Sequence, residues 1–275
     1  MKWKGRRASG NVEDRRGMSN KGIIGGGIGG IIILLVVTLL AGNPADLLNQ
    51  LGGNSSTNSS QIEYVGTEEE EELADFVSVV LADTEEVWTK IFKEEGLVYE
   101  EPILVLYKNQ VQSACGTAGS AVGPFYCPGD HKLYIDLSFY DELKREFQAP
   151  GDFAMAYVVA HEVGHHVQTL LQTDRNQQRA KSNDYSVRFE LQADYLAGVW
   201  AHHAQSMDLL EEGDLEEAIT AASAVGDDTI QKRAQGYTVP ESFTHGTSEQ
   251  RMRWFKKGFQ SGDLEGGDTF QTKNL

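Results

Sequence analysis

Apolar residues recur every three or four positions over 73–94, which predicts an amphipathic helix. A continuous apolar run over 103–107 predicts a buried strand. Two shorter apolar stretches within 121–137 flank a Pro-Gly-Asp turn at 128–130 and predict a hairpin. Beyond residue 139 the spacing is mostly helical. Strands followed by helices predict an α+β fold that is mainly helical, with a small antiparallel sheet.

An uncharged apolar run occupies 23–41 and as a helix would span about 30 Å, the thickness of a bilayer core. Before it, residues 1–22 carry seven lysines and arginines but only two acidic residues. This asymmetry predicts one transmembrane helix with the N-terminus in the cytoplasm and the rest of the chain outside. A cleaved signal peptide is the alternative, but the run is long for one and a poor cleavage site follows it.

The sequence His161-Glu162-Val163-Gly164-His165 lies within a helical pattern, and residues four apart share one face of a helix. His161 and His165 can therefore present two imidazole nitrogens to one metal ion. Glu162 points about 100° round the helix, where it can reach water at the metal. Zinc lowers the pKa of such a water to about 7, so Glu162 would act as general base and then as general acid. The alternative is a surface helix with two unrelated histidines.

A catalytic zinc needs a third protein ligand. Gln168 and Leu171 stand where a metzincin would have glycine and histidine, so that completion is excluded. Glu190 and Asp194 lie four residues apart in the apolar segment 188–198, where buried carboxylates require a cation or strong donors.

We expect Glu190 to be the third ligand and Asp194 to accept a hydrogen bond from the far nitrogen of a ligating histidine. In a rival assignment the two exchange roles, with Asp194 on the metal. A third possibility is that both carboxylates face solvent and pair with Arg188 or Lys181.

Seven blocks of sequence carry a wider resemblance: Trp3 to Arg7, Asn11 to Gly17, Gly123 to Pro128, Tyr134 to Leu137, His161 to Gln168, Glu190 to Gly198 and His245 to Arg251. In order and content they resemble the bacterial neutral zinc metallopeptidases over nearly the whole chain. The low-complexity stretch after the apolar run departs from that family. The resemblance implies a zinc ion, a peptidase-like fold and the ligands His161, His165 and Glu190. It implies no substrate.

An oxyanion formed during peptide hydrolysis needs a hydrogen-bond donor besides the metal. Tyr185, Tyr195, His245 and Arg251 are all candidates. We name His245, and we expect Arg251 to form an ion pair that packs the fold.

Cys115 and Cys127 lie close together around the predicted hairpin. In an extracytoplasmic domain such a pair favours a disulfide. Ligation of a structural zinc by the two thiolates is the alternative, but two further ligands are missing nearby.

The sequence thus predicts a basic cytoplasmic segment at 1–22, a transmembrane helix at 23–41, a flexible linker at 42–67 and a zincin-like zinc metallopeptidase domain at 68–275. The enzyme would hold one zinc per chain, act on a peptide or protein and sit in the cell membrane. A net charge of −17 argues against nucleic acid as a partner. The alternative is a membrane-anchored envelope scaffold or partner-binding protein with a structural metal. A partner-activated enzyme fits the same residues.

Overall fold

The computed structural model describes residues 1–17, 66–173 and 182–275. Within them, Met1–Arg16 and Gly66–Leu275 form one compact unit. Its strands are β1 (Val12–Asp14), β2 (Ile103–Tyr107), β3 (Gln110–Ser113), β4 (Gly116–Gly119), β5 (Phe125–Cys127) and β6 (Lys132–Asp136). Its α-helices are α1 (Glu68–Glu94), α2 (Ser138–Arg145), α3 (Asp152–Leu170), α4 (Asn183–Ser206), α5 (Asp214–Ala224), α6 (Asp227–Gln235) and α7 (Ser248–Ser261). The described part is mainly helical, with two small sheets.

The larger sheet has four strands in the order β1-β2-β6-β5. β1, β2 and β6 run parallel, with Val105 of β2 opposite both Glu13 and Tyr134. Only β5, at the edge, is antiparallel, and it forms the predicted hairpin with β6. The prediction of an antiparallel sheet is therefore wrong for most of this sheet. The parallel pairs join strands that are distant in sequence, and local patterns carry no signal for such pairing.

The predicted transmembrane helix also requires correction. Among residues 1–17, 66–173 and 182–275, no helix is both long enough and apolar enough to cross a membrane. The segment 23–41 itself lies outside the described residues, as does nearly all of the predicted linker. The fold class that placed a membrane span before the catalytic domain is therefore not supported.

The N-terminal segment belongs to the folded unit, whereas the sequence assigned 1–22 to a separate cytoplasmic segment. β1 pairs with β2, and the buried guanidinium of Arg16 lies 3.0 Å from Glu71 of α1. The α-ammonium group of Met1 lies 2.8 Å from Asp152 and 3.3 Å from Asp214. These contacts tie the first sixteen residues to the same folded unit as α1 and α3.

Two close helix contacts create the setting for the candidate site. A Cβ atom at Gly164 of α3 would lie 3.0 Å from the carbonyl oxygen of Ala193 on α4. A Cβ atom at Gly258 of α7 would lie 1.9 Å from the carbonyl oxygen of Tyr195, also on α4. Glycine at these two positions lets α4 pack closely against both α3 and α7. The buried faces of all three helices consequently meet around residues 161–165.

Candidate metal centre

Three side chains from α3 and α4 converge on one point. The Oε2 atom of Glu190 lies 3.1 Å from Nε2 of His161 and 3.6 Å from Nε2 of His165. One potential ligand atom from each of the three residues lies within 4.8 Å of the others. A tetrahedral zinc with bonds of about 2.1 Å separates its ligand atoms by about 3.4 Å. The donor set and its spacing therefore fit a zinc ion with three protein ligands.

The carboxylate of Glu190 is held in its charged form. Burial acts to raise the pKa of this group, but His165 and His161 outweigh it and bring the pKa well below the usual range. Metal ligation needs an ionised carboxylate, so the group is prepared to act as a ligand.

A buried network orients His161 from behind. Asp194, which is fully buried, has Oδ1 at 2.9 Å from Nδ1 of His161. It also accepts hydrogen bonds from Tyr157 and from Nε and Nη2 of Arg251 on α7, the latter two at 2.8 and 2.9 Å. Burial raises the pKa of Asp194, but Arg251 and His161 outweigh it and lower the pKa to about 2. An ionised aspartate at Nδ1 leaves Nε2 of His161 free for the metal.

His165 has a different partner, which the sequence reasoning missed. Its Nδ1 atom lies 2.8 Å from Oε1 of Gln168, and the amide nitrogen of Gln168 donates to the carbonyl oxygen of Phe189 at 2.8 Å. The amide oxygen of Gln168 therefore accepts from Nδ1–H of His165 and leaves Nε2 toward Glu190. The available signal was the spacing, because residues three apart on a helix are neighbours.

Glu162 lies on the wall of a cavity of about 510 Å³ that the three candidate ligands also line. We call it the metal-site cavity. The carboxylate of Glu162 has no hydrogen bond or ion pair to any residue in the described part of the chain. Since Glu162 is unpaired and only 7% exposed, its carboxylate is available to accept a hydrogen bond or a proton from a small molecule held in the cavity.

His245 lines the same cavity, on the loop between α6 and α7. Oδ2 of Asp227 accepts hydrogen bonds from the backbone amides of Thr244, His245 and Gly246, at 2.7, 2.6 and 3.0 Å. Oδ1 lies 3.3 Å from Nδ1 of His245. This hydrogen bond to Asp227 raises the pKa of His245. Asp227, which the sequence reasoning did not single out, thus fixes both the loop and the imidazole.

Of the other candidate oxyanion donors, Arg251 also lines the metal-site cavity. Arg251 is buried against Asp194, and the hydroxyl of Tyr195 lies 2.6 Å from Oγ of Ser261 and 3.0 Å from the carbonyl oxygen of Asp263. Neither Tyr185 nor Tyr195 is among the described residues that line the metal-site cavity.

Cys115 and Cys127 form a disulfide, which joins the turn between β3 and β4 to the end of β5. The bridge anchors the far end of a strand whose Phe125 and Tyr126 line the metal-site cavity.

The sequence profile of one protein family, described as "Putative neutral zinc metallopeptidase", matches residues 1–270. The chain belongs to this family. The match begins at residue 1, in agreement with the packing of Met1–Arg16 in the folded unit.

Relatives support the membership over most of the chain. "Uncharacterized protein YpfJ" of Escherichia coli K12 is 48% identical over 284 aligned residues, which cover 98% of this chain and 99% of the relative. "Uncharacterized protein Rv2575" of Mycobacterium tuberculosis H37Rv is 46% identical over 190 residues, covering 64% of this chain and 65% of the relative. No solved structure matches the chain.

Proposed function

We propose that this member of the zinc metallopeptidase family hydrolyses peptide bonds and holds one catalytic zinc per chain. The observation that carries the proposal is the unpaired carboxylate of Glu162 in the same cavity as His161, His165 and Glu190. A scaffold with a purely structural metal has no use for an unpaired carboxylate beside it.

Zinc bound by these three residues would polarise a peptide carbonyl and lower the pKa of water at the site. Glu162 takes a proton from the attacking water onto its carboxylate while the water oxygen bonds to the carbonyl carbon. It then delivers that proton to the departing nitrogen as the C–N bond breaks. The shortage of competing donors around Glu162 keeps its carboxylate available for both transfers.

His245 is proposed to stabilise the negative charge that develops on the carbonyl oxygen. Its raised pKa favours the imidazolium form, which donates from both nitrogens. Nδ1 of His245 donates to the carboxylate of Asp227, so Nε2 remains available to donate toward the substrate.

The substrate is proposed to be an extended peptide that pairs with β5. This strand is at the edge of its sheet, and Phe125 and Tyr126 line the metal-site cavity. A peptide added to a free edge would gain main-chain hydrogen bonds beside the metal helix α3. Binding in this way selects for backbone conformation more than for a particular sequence.

The disulfide suggests where the folded unit works. Disulfides persist in oxidising compartments outside the cytoplasm. We therefore propose that the unit, including Met1–Arg16, functions in such a compartment, with all of its segments on the same side.

Cleavage of a peptide library by the full zinc-loaded chain tests the proposal. Removal of zinc with a chelator should abolish cleavage, and stoichiometric zinc should restore it. Glu190→Gln should lose zinc affinity and activity together, because a neutral amide is a poor zinc ligand. Cleavage that survives removal of the metal would contradict the proposal.

A further inference from the structure

The metal-site cavity has two chemically different ends along α3. Val158 and Thr169 both line it, one turn before Glu162 and one turn after His165. Near Thr169 the wall includes Tyr126, whose hydroxyl lies 3.1 Å from Nδ1 of His166. This end is polar and adjoins the edge strand β5.

The other end is apolar, and we define it by Phe139, Phe147, Val158, Val225 and Ile230. The rings of Phe139 and Phe147 lie 6.1 Å apart between centroids. Arg233 of α6 lies 5.7 Å from the Phe147 ring, and Ile230 is one helical turn away from Arg233. Helices α2, α3 and α6 thus each contribute to the apolar lining of the cavity.

The rim of this wall is exposed. Ile230 is 39% exposed, and Val122, which also lines the cavity, is 63% exposed. Exposed apolar side chains around a concave site are typical of a surface that binds an apolar ligand. They line the same cavity as the candidate metal ligands and Glu162, and Val158 lies one turn before Glu162 on α3.

We propose that the apolar end is a specificity subsite that accepts a bulky aliphatic or aromatic side chain of the peptide, next to the bond that is cleaved. This inference rests on the proposed function, and it adds the class of substrate. A charged side chain would lose its hydration against these apolar residues, and the guanidinium of Arg233 beside Phe147 already donates to the carbonyl oxygen of Glu146, so the subsite disfavours aspartate, glutamate and lysine. A cavity of about 510 Å³ is large enough for such a side chain together with the neighbouring peptide backbone.

Binding can be measured without catalysis or metal. We would titrate the full-length Glu162→Gln chain, stripped of zinc, with N-acetyl amides of leucine, phenylalanine, alanine and aspartate, and follow the ligands by NMR. The leucine and phenylalanine amides should bind at least tenfold more tightly than the other two. Equal binding of all four amides, or failure of both bulky amides to bind, would overturn the proposal.

A matched pair of valines provides the control. Val122→Asp places a charge at the rim of the subsite, whereas Val98→Asp places one at a position that is 83% exposed and is not among the described residues lining the cavity. Val122→Asp, and independently Ile230→Asp, should weaken binding of the leucine amide about tenfold, and Val98→Asp should leave it unchanged. Equal effects at Val122 and Val98 would contradict the subsite.

The two proposals fail in different ways. Selective binding of bulky amides without peptide cleavage would support an apolar ligand site at this end of the cavity and contradict the peptidase function. Cleavage with no preference for bulky apolar residues, unaltered by Ile230→Asp, would support the peptidase and contradict the subsite.

Discussion

The carboxylate of Asp194 lies 2.9 Å from Nδ1 of His161 and is fully buried. Arg251, from a helix that begins more than 50 residues later in the chain, holds the same carboxylate through two nitrogens. The same carboxylate therefore supports both the metal site and the packing of α4 against α7. A substitution that weakens one should also weaken the other.

Asp194→Asn should weaken both zinc binding and the fold. Zinc affinity should fall about 10–100-fold, because the amide no longer holds His161 as a charged acceptor does. The free energy of unfolding should fall by about 3–5 kcal/mol, because Arg251 is left buried without its counter-ion. Chelator competition and urea denaturation measure the two effects. Asp184→Asn, an exposed carboxylate on the same helix, should change either quantity little, and a comparable loss there would count against this account.

Gln168→Leu tests the orientation of His165. Nδ1 of His165 and the carbonyl oxygen of Phe189 would both lose a partner, at a cost of about 1–3 kcal/mol in the free energy of unfolding. We also expect zinc affinity to drop about tenfold. Gln205→Leu, an exposed position on α4, is the control. Unchanged zinc affinity in Gln168→Leu would show that His165 needs no such support.

The role of His245 predicts a change in the pH profile of cleavage. His245→Ala should lower kcat about 10²-fold, with a smaller effect on KM. Because Asp227 raises the pKa of His245, the imidazolium donor persists to a higher pH than in an ordinary histidine and is lost as the pH rises through that raised value. In Asp227→Asn the pKa should be lower, so the alkaline loss of kcat should begin at a lower pH. If the pH profiles of kcat for the wild type and for Asp227→Asn superimpose, His245 has no part in the mechanism.

The α-ammonium group of Met1 predicts an alkaline loss of stability. Burial acts to lower its pKa, but Asp152 and Asp214 outweigh this, so the pKa is raised above the ordinary value of 8.0. The stabilisation is fully present below pH 8 and disappears as the pH rises through the folded-state pKa. Thermal unfolding between pH 7 and 10 should show a smaller alkaline loss for Asp152→Asn than for the wild type. Asp141→Asn, at an exposed position on α2, should follow the wild type, and parallel curves for all three proteins would refute the assignment.

Local patterns predicted a good part of this fold. The strand at 103–107 has the predicted bounds, and α1 begins five residues before the predicted periodicity because Thr67 caps it with Glu70. A capping box of Thr247 and Gln250 starts α7. Each of these features depends on residues a few positions apart, so sequence spacing reveals it.

The long-range features of the fold could not be predicted from local sequence patterns. β1 has only three residues, and its partner β2 begins about 90 residues later, so no periodicity marks it as a strand. Asp227 is a site residue because the backbone amides of the loop at 244–246 donate to its carboxylate, and no local pattern marks a contact between residues 17 to 19 positions apart. The position of β1 also has a practical consequence. A fragment that begins at residue 67 would lack this strand and the ion pair of Arg16, so experiments require the full chain.

The central claim is that Glu162 carries out proton transfer at a zinc site made by His161, His165 and Glu190. The most direct test measures zinc content and peptide cleavage side by side for the full chain and its Glu162→Gln variant. We predict one zinc per chain in both proteins and a loss of cleavage of at least about 10²-fold in the variant alone. Cleavage by the variant at the wild-type rate, or zinc in neither protein, would contradict the claim.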